Sequence, residues 1–244
     1  MSGAGPPRPF LAVDGLSVSY GEAKAVSGVS FKLDAGRAVA VLGANGSGKS
    51  SLAAALVGVV RPSGGRVSFD GVDITRWPAH RVSRAGIAYV PEGRGIYPHL
   101  TVADNLRAML RYAVPRRDRE HALERAVELF PVLGERRKQA AGTLSGGEQQ
   151  MLSLARVLAA PPKVLVADEM SLGLAPKMVD VVFESLTRAK AAGVTVVLVE
   201  QYVERALALA DDAIVLRQGV TAWSGAAADA HSEVAASYLG GEPR

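Results

Sequence analysis

The segment GANGSGKS, residues 43–50, constrains the fold more than any other stretch of the chain. A strand-like run at 37–42 leads into it and a helical stretch at 49–59 leads out, which is the strand–loop–helix context that a phosphate-binding loop needs. Its glycines let the backbone curl until successive N–H groups point inward at anionic oxygens, and the following helix turns its positive end to the same place. Lys49 adds a point charge for the β and γ oxygens of a nucleotide, and Ser50 offers a hydroxyl to Mg2+. Gly43, Ala44, Asn45, Gly46, Ser47, Gly48, Lys49, Ser50 and Ser51 are therefore the expected nucleotide contacts. A Gly-rich structural turn is the competing reading, and the placement between strand and helix disfavours it.

The rest of the chain is patterned to surround such a loop. Strands are expected at 11–20, 25–33 and 37–42, divided by turn signals at Gly21 and at Asp34-Ala35-Gly36. GGRVSFDG reads as a strand closed by an Asp-Gly turn, and 87–90 as a short buried strand. From Thr101 the pattern becomes helical: Thr101 with Asp104 resembles a capping box, and 118–130 carries apolar residues at helical spacing up to Pro131. Helix 148–160, strand 164–167, helix 176–191, strand 194–199, helix 203–210 and strand 213–216 follow, an alternation that implies a parallel sheet. The expected fold class is α/β: a P-loop NTPase core with a mainly parallel sheet, an N-terminal antiparallel β layer and an inserted helical lobe. Residues 1–9 are expected to form a tail and 10–244 one domain, with its core at about 10–91 and 162–244 and its helical lobe at about 92–161.

Further motifs carry chemistry. VLVADE, 164–169, is an apolar strand ending in two carboxylates, of which Asp168 suits a metal and Glu169 the polarisation of an attacking water. Taken alone, the pair fits a solvated strand-to-loop turn equally well. In LSGGEQQ, 144–150, Ser145, Gly146 and Gly147 open a helix, so the hydroxyl, the bare N–H groups and the helix end make a second anion site. A glycine-containing helix N-cap is the plain alternative. One chain has one γ-phosphate to recognise, yet this one carries two phosphate-binding devices roughly a hundred residues apart, which suggests a sandwich. Late in the chain GVTVVLVEQYVERALALAD ends a β-branched run on Glu200 and Gln201. Open α/β sheets hold ligands beyond the carboxyl ends of such strands, so both are candidate ligand contacts; a strand end that simply meets water is the alternative.

Together the phosphate loop, LSGGE and VLVADE resemble the nucleotide-binding subunit of ATP-binding-cassette (ABC) transporters, over about residues 11–239. The resemblance implies an ATPase using ATP and Mg2+, in which two cassettes close head to tail and the signature of one caps the ATP held by the other. It implies that Tyr20 stacks on adenine, that Glu92 lies in a loop sensing the γ-phosphate, and that Ser50, Asp168 and Glu92 surround the metal. Glu169, Lys49 and Gln201 become the catalytic set, Leu144, Ser145, Gly146, Gly147 and Glu148 the contacts to the facing subunit's ATP, and 171–176 the loop crossing the seam. Gln201 stands where most of the family has histidine and Glu92 where it has glutamine; each keeps a hydrogen-bonding group and changes the charge. Met170 replaces the usual proline, which frees φ and restores an N–H, a tolerated change that leaves slower hydrolysis open.

The strings YVPEGRGIYPHLTV, LSGGEQQMLSLAR, SLGLAP and LVEQYVERALALAD closely resemble the ATPase of branched-chain amino-acid importers, with urea or short-amide importers as the alternative. The partners so implied are a second, nonidentical cassette or a second copy, two integral membrane permeases and, indirectly, a solute-binding protein. EGRGIYPHL, with Arg94 and Tyr97, is expected either to receive a cytoplasmic helix of the permease or to be a plain surface loop. Arg116, Arg117 and Arg136 are expected to be solvated.

Composition narrows the alternatives. Aromatics at 5% leave little for base-stacking platforms, and a net charge of +4 with mixed signs offers little duplex-binding footprint, so no nucleic acid is expected. The absence of cysteine removes disulfides, thiolate metal sites and a cysteine nucleophile. No stretch approaches the ~18 to 20 apolar residues of a membrane span, and MSGAGPPRPF lacks the apolar core of a secretory signal, so a cytoplasmic protein held at the membrane through partners is expected. Two other ATPases of the same signature class compete. A DNA-repair type would need long coiled coils, and a ribosome-acting type would need two cassettes in one chain.

Overall fold

The computed structural model describes residues 9–93, 95–230 and 234. The expected tail, Pro9 excepted, lies outside these, as do Arg94 and the end of the domain beyond 234. The chain opens with strands β1 (Leu11–Tyr20), β2 (Ala23–Leu33) and β3 (Ala38–Leu42), then helix α1 (Lys49–Leu56). Next come β4 (Gly64–Phe69), β5 (Val72–Asp73), α2 (Ala79–Ala85) and β6 (Ile87–Val90). A helical stretch follows, with α3 (Val102–Ala113), α4 (Arg119–Leu129), α5 (Pro131–Glu135) and α6 (Gly146–Ala159). The chain then alternates through β7 (Val164–Asp168), α7 (Pro176–Ala191), β8 (Thr195–Val199), α8 (Val203–Leu209), β9 (Asp212–Arg217) and β10 (Val220–Ala226).

Two sheets result. The first is antiparallel in the order β2-β1-β4-β5, and the second runs β10-β9-β3-β8-β7-β6, parallel except for the β9–β10 pair. Strands β3, β7 and β8 are buried at every residue, which is why each reads as an unbroken apolar run: a parallel strand covered on both faces has no solvent side to mark with polar residues. Alternate side chains go to separate cores. Ala38, Ala40, Leu42, Leu165 and Ala167 join the helices α3, α4, α6 and α7, whereas Val39, Val41, Val164 and Val166 join α1 and the antiparallel sheet.

Local chemistry explains the joints. Asp70 (φ 51) and Gly71 (φ 77) are both left-handed, the backbone of a two-residue hairpin turn, and place β5 beside β4. Gln218 (φ 50) and Gly219 (φ 81) do the same between β9 and β10. The Thr101 hydroxyl accepts from the Asp104 N–H at the start of α3. Buried Asn105 accepts from the Tyr97 N–H at 2.7 Å and donates to the carbonyls of Tyr97, Leu100 and Thr101, so one amide fixes the entry to the helical stretch. Because β3, β7 and β8 are parallel neighbours, their carboxyl ends open on one edge, and the residues after Leu42, Asp168 and Val199 meet there.

Candidate functional site: a phosphate-loop cleft

The loop after β3 is held by close backbone approaches that only glycine permits. A Cβ on Gly43 would lie 2.3 Å from the Leu216 carbonyl oxygen, and one on Gly48 (φ 99) would lie 2.2 Å from that of Ala25. From beneath, the Gly219 N–H donates to the Ser47 carbonyl at 3.0 Å. Ser47 is itself buried, and its hydroxyl has no partner among the described residues.

Lys49 is 3% exposed, and its ammonium donates to the carbonyls of Gly43 (2.9 Å) and Ala44 (3.2 Å), with Glu169 Oε1 at 3.5 Å. The Ser50 hydroxyl donates to Asp168 Oδ1 at 3.0 Å, and the Tyr89 phenol donates to Oδ2 at the same distance. Burial pushes the Asp168 carboxyl above the usual carboxylate range, the two hydroxyls pull it back, and the charges of Glu169 and Glu92 raise it further. The Tyr89 phenol is raised as well, by burial first and by Asp168 second.

Glu169 occupies the left-handed region (φ 45), where a side chain costs on the order of 1–3 kcal/mol and persists only if its surroundings impose it. They do. Its N–H donates to the Val199 carbonyl at 2.9 Å and its Oε2 accepts from Gln201 Nε2 at 2.8 Å. Met170, where a proline was expected, is buried in the core shared with the helices. Glu200 corrects the expectation of a ligand contact. It is 1% exposed and turned inward, where its carboxylate accepts from the Ser171 hydroxyl, the Ser171 N–H and the Gln201 N–H. Burial raises its carboxyl, and these donors oppose the rise.

The cleft that results has a volume of about 340 Å³. Asn45, Gly46, Gly48, Lys49, Ser50 and Ser51 line it from the loop, Glu92, Glu169 and Gln201 come from the other strand ends, and Ala25 and Leu172 complete it. Gly43, Ala44, Ser47 and Asp168 do not line it and support it from behind. Tyr20 is half exposed, its hydroxyl 3.4 Å from that of Ser51. A second cavity of about 520 Å³, with Phe130, Met151, Val157 and Val181 in its wall, is apolar and shares no residue with the cleft.

The 144–148 motif is elsewhere on the chain. None of Leu144, Ser145, Gly146, Gly147 and Glu148 lines the cleft. Ser145 caps α6 in a full capping box: its hydroxyl accepts from the Glu148 N–H, and its own N–H donates to Glu148 Oε2 at 2.8 Å. That backbone bond is the main cause of a lowered Glu148 carboxyl, and Arg136 pairs with Oε1 at 2.8 Å. Arg136 is exposed, as expected of it, and reaches Glu148 from the solvent side. Gly147 permits close contact of α6 with α7, since a Cβ there would lie 2.7 Å from Met178 Cγ.

Comparison with known proteins decides what this arrangement belongs to. A family model described as ABC transporter matches residues 26–171, more than half of the chain. The chain belongs to the ABC transporter family. It is 42% identical over 234 residues to the high-affinity branched-chain amino acid transport ATP-binding protein BraG of Pseudomonas aeruginosa, covering 95% of this chain and 100% of that one. It is 36% identical to the probable branched-chain amino acid transport ATP-binding protein LivF of Archaeoglobus fulgidus, over 87% of this chain and 90% of the relative. Among solved structures it resembles the ADP conformation of an ATP-binding cassette of an ABC transporter, with a TM-score of 0.80 and 26% identity over 96% of this chain and 100% of that one. A nucleotide-free cassette gives a TM-score of 0.79 at 26% identity, over 93% and 95%. As a cassette of this family the chain is an ATPase. Among the described residues no helix is long and apolar enough to cross a membrane.

Proposed function

We propose that this cassette powers import of branched-chain amino acids, working at the inner face of the cell membrane as half of a pair of cassettes beneath two permease subunits. Its near-complete coverage of BraG, with the loop, the carboxylates and Gln201 converging at three strand ends, carries the reading. The loop N–H groups and Lys49 bind the phosphates. On binding, Lys49 exchanges the carbonyls of Gly43 and Ala44 for phosphate oxygens. Glu169, released from Lys49 and still held by Gln201, orients and deprotonates the attacking water. Ser145, with Leu144, Gly146, Gly147 and Glu148 shaping its helix end, meets the ATP of the facing subunit, because within its own chain it is not at the cleft. Tyr20 stacks on the base.

The residues fit Mg2+. Ser50 and Asp168 carry hard oxygen ligand atoms 3.0 Å apart, and Glu92 lines the cleft with Ser50. When bound, the ion neutralises charge on the β and γ oxygens.

Gln201→Ala removes the hydrogen bond that orients Glu169. Bonds to charged groups contribute about 1.5–3 kcal/mol, so hydrolysis in the presence of partners is expected to fall about tenfold or more with little change in ATP affinity. Unchanged turnover would leave Gln201 as a strand end without a catalytic part. The solute is tested by labelled-leucine uptake in cells lacking the gene: the wild-type chain restores uptake and the Glu169→Gln chain does not. Uptake of leucine that is independent of this chain would overturn the choice of solute while leaving the ATPase intact.

A further inference from the structure

The end of β8 carries a buried carboxylate that the hydrolytic scheme does not use. Glu200 continues a strand whose residues are otherwise apolar apart from Thr195, and it is as inaccessible as they are. A buried carboxylate is costly unless donors surround it. Here the donors are specific: the Ser171 hydroxyl, the Ser171 N–H at 3.2 Å and the Gln201 N–H at 3.2 Å. Its partners among the described residues are these hydrogen-bond donors.

These bonds close a ring. Glu169 is bonded to Val199 through its backbone and to Gln201 through its side chain. Gln201 is bonded to Glu200, Glu200 to Ser171, and Ser171 lies two residues after Glu169. Ser171 also begins the 171–176 segment, whose Leu172 lines the cleft and is half exposed. A displacement of that segment therefore reaches Glu169 by two routes, through the chain and through Glu200 and Gln201.

We propose that Glu200 is a positioning residue that locks the 171–176 loop to Gln201, so that the seating of this loop sets the rate of hydrolysis and not the affinity for ATP. The inference rests on the roles given above to Glu169 and Gln201. The test uses the purified full chain, assembled with its partners where turnover requires them. Glu200→Gln keeps the size but replaces one acceptor oxygen with an amide that faces donors. The expected result is a kcat about tenfold lower with the ATP Kd close to wild type, alongside a modestly lowered melting temperature from the buried donor left facing the amide. Ser171→Ala gives a similar loss, the double variant is no worse than either single one, and Ser171→Thr, which keeps the hydroxyl, recovers the rate. Should Glu200→Gln fail to fold, the Ser171 variants decide: a loss with Ala that Thr restores sustains the proposal. An unchanged kcat, losses that add in the double variant, or equal loss in kcat and ATP affinity would overturn it. Glu169→Gln is the control: if it turns over normally, the assignment of the base is what has failed; if it is inactive while Glu200→Gln is normal, only the positioning role falls.

Discussion

Glu169→Gln binds ATP and hydrolyses it about 10²–10⁴ times more slowly than the wild type, the range expected for loss of a general base. The amide keeps the volume of the side chain and an acceptor for Gln201 Nε2, so the left-handed turn at Glu169 has the same partners as before. The phosphate-binding groups are untouched. One negative charge is removed from the cleft that receives the phosphates, so affinity for ATP stays the same or rises. Because hydrolysis no longer ends the ATP-bound state, subunit pairs accumulate with ATP. Titration with a fluorescent ATP analogue, phosphate release and size-exclusion chromatography read the three effects. Full turnover by this variant would remove Glu169 from the role of base.

Lys49→Met separates binding from chemistry in the opposite sense. Methionine keeps much of the buried stem and loses the ammonium, which is 3% exposed and held by the carbonyls of Gly43 and Ala44. A hydrogen bond to a charged group contributes about 1.5–3 kcal/mol, so the Kd for ATP is expected to rise about 10- to 150-fold. Turnover at saturating ATP is expected to fall as well, since the same charge is proposed to face the γ-phosphate during transfer. Thermal melting without nucleotide separates this loss from damage to the loop, whose two carbonyls lose a donor. A Kd within twofold of wild type would contradict the assignment of Lys49 to phosphate.

How much of this was legible in the chain depends on how local its cause is. The helix at Pro176–Ala191 and the strands at Leu11–Tyr20 and Ile87–Val90 agree with the pattern to the residue, because periodicity and flanking turn residues act within a few positions. The helix expected at 49–59 stops at Leu56 instead, since Gly58 (φ 71) turns the chain where a Cβ would lie 2.4 Å from the Trp77 carbonyl oxygen. That neighbour is invisible to a helical pattern. Strand β10, to which the pattern assigns no element, forms because the Gln218–Gly219 turn returns the chain against β9, and Gln-Gly is a weaker turn signal than Asn-Gly. Helix α2 carries no start signal either, since its N-cap is Pro78 and no side chain caps it.

At the site, residues recognised by what they would do to a nucleotide were readable, and residues recognised by what they do to each other were not. Lys49, Ser50, Glu169 and Gln201 lie together at the cleft, and Asp168 stands behind it. The bonds of Tyr89 to Asp168 and of Ser171 to Glu200 carry no signal in the chain, because these partners are brought near only by the packing of parallel strands. The position of Glu200 is legible in the chain and its direction is not: at a strand end, one residue decides whether a side chain faces the cleft or the interior. The 144–148 motif is the reverse case. Its helix-opening pattern is plain in the chain, while the nucleotide it is proposed to serve belongs to another subunit.

The central claim is that ATP is held between two cassettes, each supplying half of the groups around it. A structure of the Glu169→Gln protein with ATP, in complex with its partner subunits, tests it most directly. The account predicts Ser145 Oγ within about 3.5 Å of the γ-phosphate of the ATP bound by the facing cassette. Ser145 remote from every nucleotide in that complex would contradict it.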